Sequence, residues 1–191
     1  MKIISIVFFI YLGIENEVLL QIARSFLYLS GIMNEIEIFF NAIRNGDLNL
    51  VEELLNKTPE LLAKRDQRGS TPLVLSTYYN QLEITDVLIK KGAKINDKDS
   101  SGNTALMGVC FKGFVELAKK LVASGADVNL SNTMGATSLI YAATFNRIEI
   151  AKILLEQKAD VNAKDARGHT ALDHAKMQDA KQLIDLLEKY A

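Results

Sequence analysis

The stretch Asp66-Gln-Arg-Gly-Ser-Thr-Pro-Leu73 decides the fold, because it returns at a spacing of 33 residues. It reappears as Asp99-Ser-Ser-Gly-Asn-Thr-Ala-Leu106, as Asn132-Thr-Met-Gly-Ala-Thr-Ser-Leu139 and as Asp165-Ala-Arg-Gly-His-Thr-Ala-Leu172. A fixed period of this size marks a stacked solenoid, in which each unit contacts only its neighbours. Such an architecture offers a long open face rather than a single enclosed pocket.

Each period opens with a turn. Gly69, Gly102, Gly135 and Gly168 follow an Asp or Asn by three residues, where a tight turn calls for positive φ and a side-chain acceptor. Thr71, Thr104, Thr137 and Thr170 come next as helix N-caps, and Pro72 occupies a first helical position, where its missing N–H costs nothing. A short apolar helix led by Leu73, Leu106, Leu139 or Leu172 should stop at Asn80, Gly113, Asn146 or Asp179, residues that tolerate a left-handed cap. A second helix carries its apolar residues at i, i+3, i+4 spacing: Ile84, Val87, Leu88; Leu117, Leu121, Val122; Ile150, Ile153, Leu154; Leu183, Leu186, Leu187. Gly92 and Gly125 close two of these helices, and Lys158 stands at the same place in a third. Ala93–Asn96, Ala126–Asn129 and Ala159–Asn162 then read as short extended stretches leading into the next turn.

The Thr-Pro-Leu of the first helix, the Gly-Ala-Asp-Val-Asn after the second and the 33-residue period resemble the ankyrin repeat. The likeness is close over residues 66 to 191. It implies an all-α solenoid of helix-turn-helix units joined by short β-hairpin-like turns. Residues 33–65 read as a divergent N-terminal capping repeat, with Phe39 at the Leu73 place, Gly46 at the Asn80 place, and Leu50, Leu54 and Leu55 as the second-helix stripe. Residues 66–98, 99–131 and 132–164 are repeats, and 165–191 is a C-terminal capping repeat that ends without the trailing hairpin. The family's His after Thr-Pro-Leu is replaced by Val74, Met107, Ile140 and Asp173, so its usual hydrogen bonds are expected to be absent.

The 191 residues carry 22 Lys and Arg against 23 Asp and Glu, and nothing in this balance favours nucleic acid, which asks for a basic face. A single cysteine, Cys110, excludes an internal disulfide and reads as a packed small apolar residue. Residues 1–32 are an apolar leader. Ile3–Ile14 follows Lys2 like a signal-peptide core, but no small-x-small cleavage site follows, and the run is shorter than the roughly 20 apolar residues a bilayer needs. Three readings fit it: a signal or membrane anchor, an extra cap on the first repeat, or a stretch upstream of a true start at Met33. The repeat pattern beginning at once after Met33 favours the last, and with it a cytoplasmic protein. The first implies a membrane-associated or exported one with an envelope-protective or host-directed role.

No catalytic constellation, phosphate-binding glycine loop or cofactor motif stands out. His169 and His174, the only histidines, have Asp165 and Asp173 close in sequence, but no set of three or four converging ligands is evident from spacing, and a solvated surface is the reading adopted. The resemblance implies a non-catalytic module, an adaptor or stoichiometric regulator, that binds a protein partner through a concave face of turns and first helices. Arg68, Tyr78, Tyr79, Phe111, Lys112, Met134, Phe145, Arg167 and Met177 fall on that face at positions the fold does not need. Aromatic and Arg side chains are the usual energetic centres of interfaces. A monomer without cofactor or metal is expected.

Overall fold

The computed structural model describes residues 34–190, so the leader and its three readings lie outside the described residues. Within them the chain forms five helix pairs: α1 (Glu35–Asn45) and α2 (Leu48–Lys57), α3 (Pro72–Tyr78) and α4 (Leu82–Lys90), α5 (Ala105–Lys112) and α6 (Val115–Ala123), α7 (Ser138–Thr144) and α8 (Ile148–Glu156), α9 (Ala171–Met177) and α10 (Lys181–Glu188). A short 3-10 helix, Pro59–Ala63, follows the first pair and buries Leu61. One isolated antiparallel bridge, Ser131 to Thr137, is the β-structure among the described residues.

The local rules act as the sequence implies. Thr71, Thr104, Thr137 and Thr170 each accept a hydrogen bond from the backbone N–H three residues on. Asn80, Asn146 and Asp179 end their first helices at φ of 57°, 51° and 49°, and Gly46 and Gly113 do the same at 73° and 86°. Each hairpin turn closes by an N–H···O bond: Asp66 to Ser70, Asp99 to Asn103, Asn132 to Ala136 and Asp165 to His169, between 2.9 and 3.1 Å. Gly69, Gly102 and Gly135 serve twice, through positive φ and through close approach to the next repeat. A Cβ on Gly102 would lie 2.9 Å from the Thr133 backbone nitrogen, too near for any side chain.

One continuous core runs through the stack, from Phe39, Phe40 and Ile43 to Leu183 and Leu187. Leu73, Leu106 and Leu139 are buried between neighbouring repeats, whereas Leu172 in the last first-helix is only half-buried. The first helices stack more closely on one another than the second helices do. Small buried residues permit it: Ser76, Thr77, Cys110, Ala142, Ala143 and Ala175. Closer stacking on one side bends the array, so that turns and first helices line its inner face. Cys110 is fully enclosed, and burial pushes its thiol up to about 12 against a weaker downward pull from Ser138, in keeping with a packing role.

Four details differ from the sequence reading. In the first pair Val51 is fully buried and Leu50 only half-buried; by the cap register, with Gly46 at the Asn80 place and Asp47 at the Gln81 place, Val51 stands where Thr85 does, a position that is buried as well. The segments after the second helices turn at Ile95–Asn96, Val128–Asn129 and Val161–Asn162 rather than run extended. Asp173 supplies hydrogen bonds where the family's His is missing, since Thr170 donates to its carboxylate from N (2.9 Å) and Oγ1 (2.8 Å) and completes a capping box. The solvated-surface reading of Asp165 and His174 also fails, because their side chains are 11% and 18% exposed.

Lys158 holds φ of 62°, where the two preceding repeats have Gly92 and Gly125 at 91° and 88°. A side chain in this region costs on the order of 1 kcal/mol, and neither glycine has an atom within 4 Å of an added Cβ. The cost at Lys158 is therefore one of backbone conformation. Lys158→Gly should raise the urea denaturation midpoint, the relief of strain outweighing the added freedom of the unfolded chain.

The turn carboxylates make a second prediction. Burial pushes the Asp165 carboxyl up, but hydrogen bonds from His174 and from the His169 and Arg167 N–H groups, with the charge of His174, hold it down at about 2. Asp66 is held low in the same sense, burial again being outweighed, here by the Ser70 and Arg68 N–H groups and by Arg44. A depressed folded-state pKa gives stability that is present above the unfolded value of 3.8 and lost as pH falls through about 2. Asn132 holds its own turn through Oδ1, accepting from Met134 and Ala136, so Asn serves this role without titrating. Asp165→Asn should therefore lose less stability than the parent between pH 3.8 and about 2, measured as urea midpoints across that range.

Candidate partner-binding face

Two rows of side chains emerge from the inner face, each set by the 33-residue register. The first lies at the turn tips. Arg68, Ser101, Met134 and Arg167 are the third residues of successive turns, and all are exposed, Met134 at 57%. Their side chains are free of the fold because it uses their main chains. The Arg68 and Arg167 N–H groups donate to Asp66 and Asp165, at 3.0 and 2.9 Å. The Arg68 carbonyl accepts from Ser100 Oγ at 2.7 Å, and the Met134 carbonyl from the Ala166 N–H at 2.8 Å.

The second row lies at the ends of the first helices. Tyr78 and Tyr79 are each 44% exposed, Phe111 37%, Phe145 38% and Met177 60%. Four of these residues are linked, within a repeat and across repeats. Tyr79 packs edge-on against Tyr78, with ring centroids 5.4 Å apart. The Lys112 ammonium sits 4.1 Å from the Tyr78 ring centroid and 5.8 Å from that of Phe111. Phe111 meets Phe145 edge-to-face at 4.6 Å, and Phe145 stacks on Tyr141 at 6.5 Å. The result is a continuous aromatic ridge over three repeats, with one lysine bridging it by cation–π contact. Met177 stands at the Tyr78 and Phe111 register in the last repeat.

A cleft of about 1050 Å³ adjoins the Tyr78 end of this ridge, between α1, α3 and the first turn. Phe40, Val74, Leu75, Tyr78 and Tyr79 give it an apolar side, and Arg44, Arg65 and Arg68 give it three guanidinium groups. Two of these are engaged within the protein. Arg44 pairs with Asp66 at 2.8 Å, and Arg65 donates to the Gly69 and Lys98 carbonyls. The structure thus brings Tyr78, Tyr79, Phe111, Lys112 and Phe145 together, places Arg68 with the two tyrosines at the cleft, and leaves Met134 and Arg167 on the turn row. Tyr141 and the cleft residues Phe40 and Arg44 were not singled out from the sequence. Each sits inside the apolar or polar pattern of its own helix, and only stacking sets it beside the ridge.

A second grouping lies at the last turn. His174 Nε2 is 2.8 Å from Asp165 Oδ2, and the His169 ring meets the His174 ring edge-on at 5.7 Å. One ligand atom from each of Asp165, His169 and His174 falls within 4.8 Å of the others. No helix among the described residues is long and apolar enough to cross a membrane.

A family model described as Ankyrin repeats (3 copies) matches the chain over residues 14–99, 39–132 and 106–191. Together these matches span most of the sequence, beginning ahead of Met33, and cover all five helix pairs. Repeats of this family are generally protein–protein interaction modules and typically non-catalytic. Stack, turn motif and family match lead to one conclusion: this chain belongs to the ankyrin-repeat family.

Proposed function

We infer that this chain is a non-catalytic adaptor or stoichiometric regulator that holds a protein partner on its turn and first-helix face. The observation that carries this reading is the ridge Tyr79–Tyr78–Lys112–Phe111–Phe145. Nothing in the repeat needs large rings at the ends of first helices. The equivalent positions hold Gln178, Met177 and Thr144 without disturbing the fold. Rings there keep an apolar face in water, which is favourable only when a partner covers it. The adjoining cleft adds guanidinium groups beside the tyrosines, the residue types in which interface energy concentrates. Arg68, Met134, Arg167 and Met177 extend the footprint along both rows. The alternative of an exported or membrane-tethered protein rests on residues 1–32.

The rings also cover one another, so their removal carries some cost to the fold, on the order of 1 kcal/mol per lost ring pair. Replacing Tyr79, Phe111 and Phe145 together by Ala should abolish recovery of the main partner in affinity capture from the protein's own cells. Each covered anchor is worth ~2 kcal/mol or more, while the core residues Leu73, Leu106 and Leu139 stay in place. The variant should keep its helical circular dichroism with a modestly lower denaturation midpoint. Lys90, Lys119 and Lys152, exposed on second helices, form the control, and their joint replacement by Ala should leave capture unchanged. A folded aromatic variant that still captures the partner places binding on another surface.

A further inference from the structure

The fold brings positions i, i+4 and i+9 of each repeat together at the turn. Asn132 shows it with a hydrogen bond to the Tyr141 hydroxyl at 3.1 Å, nine residues on. In the last repeat these positions are Asp165, His169 and His174, a donor set found in no other repeat of this chain. The three side chains are neither fully buried nor fully exposed. One flank is open as well. The turn glycines Gly69, Gly102 and Gly135 lie against the next turn, whereas nothing stands within 4 Å of a Cβ added to Gly168.

We propose that Asp165, His169 and His174 form a binding site for a divalent transition-metal ion, best matched to zinc. Two imidazoles with one carboxylate are donors for zinc rather than for calcium or magnesium, which take oxygen ligands. Metal–ligand bonds of about 2.1 Å put tetrahedral donors about 3.4 Å apart. The present separations bracket that value, from 2.8 Å for Asp165 to His174 to a limit of 4.8 Å across the set. Small side-chain rotations therefore suffice. Asp165 keeps its turn in the process, because the turn uses Oδ1 and the cluster uses Oδ2. Asp173 is held by Thr170 and stays outside the set. Three protein ligands leave a fourth position toward solvent, for water or for a side chain of a bound protein. Bound metal ties the last described turn to α9, where Leu172 is only half-buried.

The test uses the untagged full-length protein, stripped with a chelator and dialysed. It is titrated with cobalt(II) chloride, read by visible absorption, and with zinc chloride, read by calorimetry. One equivalent should bind, with a tetrahedral cobalt spectrum that zinc displaces. His169→Ala should abolish the cobalt spectrum, since the turn needs only the His169 main chain. Asp165→Asn should abolish it too, and Asn132 shows that Asn preserves the turn. Circular dichroism of both variants should match the parent. Absence of saturable binding by the parent, or unchanged binding in either folded variant, overturns the proposal.

Discussion

No repeat in this chain can bury its own apolar stripe, and everything else in the structure follows from that need for a neighbour. Leu73, Leu106 and Leu139 reach full burial only because a repeat lies on each side, and Leu172 stays half-buried at the end of the described array. Burial of a leucine is worth about 1.5–3 kcal/mol, far more than any single turn or cap. The turns are shaped to let repeats come close enough to realise it. Gly102 approaches the Thr133 main chain to a distance no side chain tolerates, and Thr133 then donates to the Ser101 carbonyl through Oγ1 at 2.8 Å. Small residues along the first helices do the same work deeper in the stack.

The same constraint separates fold from recognition. Core residues occupy the facing sides of each repeat, and the turns use main-chain groups. Side chains at turn tips and first-helix ends are left outside the core and the turn bonding, their contacts with one another aside. That is why position 78 of one repeat reappears as Phe111, Thr144 and Met177 in the repeats that follow, while position 73 is Leu in all four of them. Variation at free positions gives a stack its own face. Here the face is aromatic, with Lys112 lying between Tyr78 and Phe111 and linking rings that belong to different repeats.

Turns, caps and core were legible in the sequence because they are local and repeated. Asp, Gly and Thr at fixed offsets each have a conformational cause, and four copies confirm one another. Lys158 illustrates the strength of register, since its positive φ follows from alignment with two glycines. The divergent first repeat lacks that support, and there Leu50 of the expected stripe is only half-buried while Val51, one residue on, is fully buried. The candidate site was legible only as a set of positions. Its contacts join residues about 33 apart, such as Tyr78 with Lys112 and Phe111 with Phe145, and depend on the spacing between stacked helices. The Asp165, His169 and His174 grouping escaped for a related reason. Ligand searches look for pairs on one helix face or flanking one loop, whereas here a turn folds i, i+4 and i+9 onto one point.

That point of convergence has a wider meaning for the stack. One oxygen of every turn Asp or Asn is committed to the turn, so the second atom of that side chain is the free polar contact each repeat offers. Asp66 gives it to Arg44 of the preceding first helix, at 2.8 Å. Asn132 instead uses its amide to reach Asn103 of the preceding turn and Tyr141 of its own helix, at 2.8 and 3.1 Å. Asp165 turns it on His174. The first two contacts couple a turn to a neighbouring repeat or to the ring row, and so help to fix the spacing of that row. The third looks only inward, within its own repeat, leaving its chemistry free to take an external ligand. A single register position, filled by Asp or Asn, therefore does three different tasks, and which task it does is decided by what the stack places nine residues ahead or one repeat behind.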